Sequence, residues 1–154
     1  MNLITDLEKA YFAGMIDGDG CISITKSPKK VAGKTRHYHQ AYIILSQSTK
    51  SYLEYWKEKI GFGSVYEKKS SSKDVIKSRL KHYQFRVPSK KACNVAEMIL
   101  PYLLLKRRQA ELIIELGKTM KNNGRAGISQ DVLDYREALR IECCALNKSR
   151  EFNL

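Results

Sequence analysis

The sequence predicts one α+β domain in which elements in the order αββαββα are followed by two further helices. Segments with apolar residues at three-to-four spacing, the period of a helix, alternate with pairs of segments whose apolar residues recur at every second position, the period of a strand. The 154 residues include 43% hydrophobic and 29% charged residues, an ordinary globular composition. We therefore expect residues 1–154 to form a single domain, with a four-stranded antiparallel sheet covered by helices on one face.

The first half of the chain predicts a helix, a hairpin and a second helix. Thr5 followed three residues later by Glu8 is a capping-box pattern, which predicts that the first helix begins directly after Thr5. The predicted elements are a helix over 6–17, a strand over 21–27, a basic hairpin loop over 28–39, a return strand over 38–47 and a helix from the cap Thr49 to Gly61.

The second half predicts another hairpin and three helices. Pro88 has no backbone donor, so we expect it to end the last strand, and Ser89 is a typical helix cap. Pro101 breaks the helix that follows. The predicted elements are a strand over 63–69, a loop rich in Ser and Lys over 70–78, a strand over 79–87, helices over 90–100 and 106–121, a turn over 122–127 and a helix over 130–147.

The balance of charged residues predicts a polyanionic partner. Lys and Arg number 28 against 16 Asp and Glu, and the formal net charge of +12 is typical of a surface that binds phosphate groups. No apolar run approaches the roughly 18 residues that a membrane-spanning helix needs. Asp6 and Glu8 fit neither a secretory signal nor an Arg-rich transit peptide. We expect a soluble intracellular protein, organellar or cytoplasmic depending on the host, without a membrane partner.

The end of the first helix combines two locally unfavourable features. Gly14 costs a helix about 1 kcal/mol relative to Ala, and the carboxylates of Asp17 and Asp19 lie at the negative end of the helix dipole. If two copies of this helix pack through its small residues, which are spaced four apart, their acidic ends meet and offer oxygen ligands that suit Mg²⁺. The predicted dimer-interface residues are Ala10, Ala13, Gly14, Asp17 and Gly18.

The stretch FAGMIDGDG, residues 12–20, resembles the motif that names the LAGLIDADG homing endonucleases. The identical positions are Ala13, Gly14, Ile16, Asp17, Asp19 and Gly20, and the departures are apolar or small. The αββαββα order is the fold of that family, and the resemblance covers nearly the whole chain. It implies a site-specific DNA endonuclease that makes metal-dependent double-strand breaks across the minor groove and leaves short 3′ overhangs.

The resemblance also implies roles for single residues. Asp19 would bind the metal directly, with the carbonyl group of Gly18 as a neighbouring ligand. Gln47 would help to organise metal-bound water, and Lys106 would stabilise charge near the scissile phosphate. The implied metal is Mg²⁺, with Mn²⁺ as a substitute.

One motif per chain supplies half of a paired active site, so the sequence predicts a homodimer. Its two-fold symmetry would be mirrored in a long pseudo-palindromic double-stranded DNA target. Some relatives carry an arginine four residues after the active-site glutamine. That position is Ser51 here, with Lys50 beside it as a candidate substitute.

Period-two alternation predicts which face of the sheet meets DNA. Ile22 and Ile24 point to the core, so their neighbours point to the opposite face, where strands laid along the major groove place side chains against base edges. The basic segments add phosphate contacts. The predicted DNA-binding residues are Ser23, Thr25, Ser27, Lys29, Lys30, Lys34, Arg36, Tyr38, Gln40, Tyr42, Ile44, Lys50, Tyr66, Lys68, His82, Gln84 and Arg86.

The sequence leaves other functions open. An intron maturase could use the same fold to hold RNA, and a regulator could keep the fold and lose cleavage. The three residues assigned to catalysis favour the nuclease, because a pure binder has no need of acidic groups near phosphates. His37, His39 and His82 have no metal-like spacing, so we expect them on the surface or in contact with DNA.

Overall fold

The computed structural model describes residues 4–69, 80–120 and 127–149, and its elements follow the predicted order. The predicted loop over 70–78 and residues 122–126 of the predicted turn lie outside the described residues. The elements are α1 (Asp6–Asp19), β1 (Gly20–Val31), β2 (Lys34–Gln47), α2 (Lys50–Ile60), β3 (Ser64–Lys68), β4 (His82–Pro88), α3 (Ser89–Ile99), a 3₁₀ turn (Leu100–Tyr102), α4 (Arg107–Lys118) and α5 (Gln130–Lys148). The α+β fold with additional C-terminal helices is confirmed.

The strands form one antiparallel sheet in the order β1-β2-β4-β3, so the two hairpins join through β2 and β4. One face carries the core, where Ile43, Phe85 and Val87 are fully buried beneath the helices. The ring of Phe12 in α1 lies 4.8 Å from that of Trp56 in α2 and fixes the two helices together. Residues of the opposite face are half-buried or exposed. Among the described helices, none is long and apolar enough to cross a membrane.

The prediction of a basic loop over 28–39 is wrong, because β1 and β2 continue through it to a two-residue turn. Ala32 and Gly33 have φ angles of 50° and 76°, and a type I′ turn requires positive φ at both positions. Beyond the core both faces of this hairpin meet solvent, so the hydrophobic alternation that reveals a strand disappears. The basic residues of this segment therefore lie on paired strands.

Two helix ends differ from the prediction for local reasons. α1 continues to Asp19, and Gly20 donates its backbone N–H to the carbonyl oxygen of Ile16. A Cβ at Gly20 would lie 2.7 Å from the Cα of Ile16, so only glycine fits this close turn from helix to strand. Ser89 is not the cap of α3, because Pro88 occupies the N-cap position and no side chain bonds the first turn.

The capping box at the start of α1 is confirmed and is tied to α2. The Glu8 carboxylate accepts hydrogen bonds from the backbone N–H of Thr5 at 2.8 Å and from its hydroxyl at 3.0 Å. The ammonium of Lys59 lies 2.6 Å from the same carboxylate. The bond from Lys59, followed by that from the Thr5 backbone, lowers the pKa of Glu8 from 4.5 to about 2.

We expect Glu8→Gln to have a lower unfolding temperature than the wild type at neutral pH. The difference in unfolding temperature should disappear as the pH falls from 4.5 to about 2. A lowered pKa means that the carboxylate stabilises the fold above its ordinary pKa and that this stabilisation is lost on protonation. Thermal denaturation across this pH range measures the difference. A difference that stays constant would contradict a stabilising role for the charge.

Candidate active site and nucleic-acid interface

Asp19 and Gln47, two of the predicted catalytic residues, lie side by side at the end of the sheet. Asp19 is the last residue of α1 and Gln47 the last residue of β2. The two come together because β1 starts at Gly20 and pairs with the end of β2, with Gly20 opposite Leu45. The Gln47 amide donates to the Asp19 carboxylate at 3.0 Å. The exposed Asp19 carboxylate is thereby held in one orientation while facing solvent.

Asp17 has a different task from Asp19. Its carboxylate accepts three backbone N–H groups at the approach to α4, from Leu104 at 2.8 Å, Leu105 at 3.2 Å and Lys106 at 2.9 Å. These donors lie directly before α4, and their hydrogen bonds offset the unfavourable position of Asp17 near the negative end of α1. Asp17 therefore joins the two helix ends, and its carboxylate is occupied within the chain.

Lys106 completes this junction from the other side. It is the N-cap residue of α4, which begins one residue later than predicted. Its ammonium donates to the carbonyl oxygens of Ile16 at 2.8 Å and Asp17 at 2.6 Å, so it neutralises the negative end of α1. Burial lowers the pKa of Lys106, against the opposing effect of the nearby Asp17 and Asp19 carboxylates, which raise it. The ammonium thus lies within the field of the Asp19 carboxylate.

We expect Lys106→Met to lower both the stability and the activity of the protein. Two charge-assisted hydrogen bonds to helix-end carbonyls would be lost, which costs about 1–3 kcal/mol of unfolding free energy. Chemical denaturation and a DNA cleavage assay measure the two effects. Lys118→Met, which changes an exposed lysine at the other end of α4, is the matched control. Unchanged stability in Lys106→Met would contradict its role at the junction.

The outer face of α1 is open in the single chain. Gly14 and Gly18 are exposed, and a Cβ placed on either would meet no atom within 4 Å. Beside them, Leu7 and Tyr11 are 81% and 60% exposed. Ala13 is a correction to the predicted interface, because it is completely buried in the core of its own chain. The remaining stripe is a flat surface with apolar neighbours that could receive a second helix.

The donor set at the end of α1 fits one half of a magnesium site. Asp19 supplies an exposed carboxylate oxygen beside the backbone carbonyl groups of the last helical turn, and Mg²⁺ prefers such hard oxygen ligands. Asp17 is engaged with backbone donors, so it leaves Asp19 as the acidic ligand. Within the described residues, no group of three or more acidic, His or Cys side chains could hold a metal. A complete site would need ligands from outside this chain.

Strand register places nearly all predicted DNA-facing residues on the single open face of the sheet. Residues directly opposite one another share a face, and this relation extends across the four strands. The predicted residues on this face are Ser23, Thr25, Ser27, Lys29, Lys34, Arg36, Tyr38, Gln40, Tyr42, Ile44, Tyr66, Lys68, His82, Gln84 and Arg86. Lys30 is an exception, because alternation places it on the opposite side of the hairpin. Lys50 lies off the sheet as the first residue of α2.

Side chains on the open face hold one another in place. The guanidinium of Arg86 stacks on Tyr42, 3.7 Å from the ring centroid, and the Tyr42 hydroxyl donates to Gln40 at 2.6 Å. The Tyr66 hydroxyl donates to Gln84 at 2.9 Å. Base readout depends on donors and acceptors in fixed positions, and this network supplies them.

His39 is buried rather than on the surface, which corrects its prediction. Its ring Nε2 lies 2.7 Å from Glu137 of α5, a residue that sequence reasoning missed. Glu137 also pairs with Arg140 at 2.7 Å and with Lys26 at 3.4 Å, so it ties α5 to both strands of the first hairpin. These bonds, that of Arg140 foremost, hold the pKa of Glu137 well below its ordinary value. No pattern in the sequence links residue 39 to residue 137.

The fold and this arrangement define the class of protein, an α+β domain with a single acidic motif per chain. A family model described as LAGLIDADG endonuclease matches residues 12–111, well over half of the sequence. The chain therefore belongs to the LAGLIDADG endonuclease family. No curated protein sequence matches the chain.

Solved structures of homing endonucleases have the same fold. I-CvuI, in complex with target DNA, superposes with a TM-score of 0.73 at 22% identity, covering 96% of this chain and 87% of that chain. The archaeal intron-encoded I-Vdi141I, complexed with DNA, gives 0.71 at 20% identity, covering 96% and 88%. For the meganuclease I-AabMI, bound to uncleaved DNA, the TM-score is 0.59 at 19% identity, covering 85% of this chain and 42% of that chain.

Proposed function

We propose that the protein is a site-specific DNA endonuclease that, as a homodimer, makes metal-dependent double-strand breaks in a long pseudo-palindromic target. The observation that carries this proposal is the Asp19–Gln47 pair, an exposed carboxylate oriented by an amide at the end of a helix whose outer face is open. Family membership supports nuclease activity, and the net charge of +12 suits a DNA partner.

The dimer would form through α1. Two copies packed at Gly14 and Gly18 would bring both Asp19 carboxylates to one place and cover the exposed side chains of Leu7 and Tyr11. The extent of the structural matches supports two units per assembly. This chain covers most of I-CvuI but less than half of I-AabMI, as expected if the longer chain contains two such domains.

Mg²⁺, with Mn²⁺ as its substitute, would be held by Asp19 and the Gly18 carbonyl of each copy. When bound, such a metal supplies an activated water and neutralises charge on the leaving oxygen. The chain's own residues would orient these groups, because Gln47 fixes the Asp19 carboxylate and can hydrogen-bond a nearby water. Lys106 would keep a positive charge close to the scissile phosphate while capping α1.

DNA would lie across the open face of the sheet. The ordered side chains there, Arg86 on Tyr42 and Tyr66 on Gln84, would face base edges in the major groove. The basic strands of the first hairpin, with Lys29, would contact the backbone, and Lys50 is a further candidate for phosphate contact. A two-fold assembly would repeat these contacts on both half-sites.

Incubation with a randomised DNA library, in Mg²⁺ and in EDTA, followed by sequencing of the ends, tests the proposal. Metal-dependent double-strand ends at one pseudo-palindromic sequence are the expected result. Binding without cutting in either condition would overturn the endonuclease and favour the RNA-holding maturase or the non-cleaving regulator. Light scattering of the same sample tests the dimer independently of cleavage.

A further inference from the structure

A cavity of about 490 Å³ lies at the first hairpin, and its lining includes residues from both faces of the two strands. It is bounded by the hairpin, the start of α3 and the first turns of α5. The side chains that alternation or position directs to it include Pro28, His39, Ser89, Met120, Ile128 and Arg136. Within the described residues no acidic residue lines it, whereas the three basic residues Lys29, His39 and Arg136 do. The cavity is separate from the Asp19 end of the sheet.

Arg136 is a buried cation without a counterion in the described part of the chain. It is 5% exposed, and its guanidinium donates to the hydroxyl and the carbonyl oxygen of Thr119, at 2.8 and 2.7 Å. Both acceptors are neutral, and burial lowers the pKa of Arg136. A guanidinium has five N–H donors, so these bonds leave others free for an anion. A buried charge is costly until something of opposite sign meets it.

His39 also lines the cavity, and one of its ring nitrogens lacks a hydrogen-bond partner among the described residues. Its side chain is 2% exposed, with Nε2 bound to Glu137, and its Nδ1 is buried without a hydrogen-bond partner among the described residues. Because Nε2 is already engaged with Glu137, Nδ1 is the ring nitrogen that remains for a hydrogen bond with a ligand. Ser89 adds the positive end of α3, a helix of 11 residues whose first turn has no side-chain cap.

We propose that this cavity binds a phosphate group, held by the Arg136 guanidinium and by Nδ1 of His39 beside the start of α3. The guanidinium fork suits the geometry of phosphate oxygens, and a phosphate group there would give hydrogen-bond partners to two buried polar groups at once. The group could be free phosphate or a backbone phosphate of bound nucleic acid. The second source rests on the proposed DNA function, and the first does not.

Thermal denaturation with increasing inorganic phosphate, at constant ionic strength set with chloride, tests the site without DNA. The wild type should gain thermal stability in a saturable way. His39→Gln keeps an amide donor near the position of Nε2 for Glu137 but has no Nδ1, and Arg136→Lys keeps the charge but loses the fork. Each should weaken phosphate binding about tenfold or more, by loss of a charge-assisted bond. Lys57→Gln, on α2 far from the cavity, is the control and should behave as the wild type.

DNA binding by the wild type and by Arg136→Gln, a variant that removes the charge, separates the two sources. If a backbone phosphate fills the cavity, Arg136→Gln should reduce the slope of log affinity against log salt by about 0.9, the value for one phosphate. A phosphate-dependent shift with an unchanged slope would support free phosphate as the ligand. The proposal is overturned if His39→Gln and Arg136→Lys keep the wild-type phosphate response and the slope is also unchanged. The phosphate titration uses no DNA, so its result does not depend on whether the protein cleaves DNA. Failure of the proposed endonuclease function can therefore be told apart from failure of the phosphate site.

Discussion

Asp19→Asn should abolish DNA cleavage and leave DNA affinity unchanged, because Asp19 carries the exposed carboxylate at the end of α1 that we propose as the metal ligand. The substitution keeps the size of the side chain and removes its charge, so the strongest hard ligand for a divalent metal is lost. We expect the rate to fall by about 1,000-fold or more, which corresponds to ~4 kcal/mol in the barrier. DNA affinity should persist because the proposed binding surface is the open face of the sheet, away from this helix end. Single-turnover cleavage and a gel-shift titration measure the two quantities.

Asp131→Asn, an isosteric change at an exposed carboxylate in the first turn of α5, is the matched control. It should cleave at the wild-type rate. Asp17→Asn makes a further contrast, because Asp17 accepts three backbone N–H groups and its change should lower stability as well as activity. Full cleavage by Asp19→Asn would refute the metal assignment, and a loss of DNA affinity equal to the loss of rate would place Asp19 in binding instead.

The parts of the fold that follow from local periodicity were predictable from the sequence. Ile22 and Ile24 show which residues of β1 point into the core. The register of the neighbouring antiparallel strands then assigns all remaining strand residues to one face or the other. The hairpin beyond the core was not predictable in this way, because solvent on both sides leaves no hydrophobic period. The turn at Gly33 was the remaining signal, and a glycine in a basic segment fits a loop equally well.

The site was predictable only as a set of residues, not as an arrangement. Resemblance to a family identified Asp19, Gln47 and Lys106, but no periodicity brings the end of α1 beside the end of β2. The Asp17 carboxylate binds backbone N–H groups 87 to 89 positions later in the chain. Every residue except proline has such a group, so the sequence does not show which of them Asp17 will meet. The prediction that Ala13 lies in the dimer interface was wrong for a related reason. A small residue on a helix is equally suited to a partner helix or to its own core, and burial decides between them.

The junction between α1 and α4 would link the stability of the fold to the proposed nuclease activity. Asp17 holds the backbone that leads into α4, and Lys106 from that segment caps α1. The polar groups at the end of α1 and at the start of α4 therefore hydrogen-bond each other. The last turn of α1, which carries Asp19, is held in its orientation by both sets of bonds. Without these bonds, the exposed carboxylate that we propose as a metal ligand would stand on a frayed helix end.

Gly14→Leu should separate the dimer while leaving the monomer folded and slightly more stable. Within one chain a side chain at Gly14 meets open space, and replacing a mid-helix glycine gains up to about 0.8 kcal/mol in helix propensity. Between two copies the same side chain would be inserted twice into a close backbone contact. Overpacking costs about 1–3 kcal/mol for each insertion, so the dissociation constant should rise by roughly 30-fold to 10,000-fold.

Analytical ultracentrifugation measures the dissociation constant, and thermal denaturation of the dilute protein measures the monomer. Ala138→Leu, a small-to-large change on an exposed face of α5, is the matched control and should leave the dimer intact. The two effects of Gly14→Leu have opposite signs, so general unfolding cannot imitate them. Double-strand cleavage should fall with the dimer fraction and return at high protein concentration, because each chain would keep its own Asp19 and lack only its partner's. A dimer of unchanged affinity would exclude α1 as the interface.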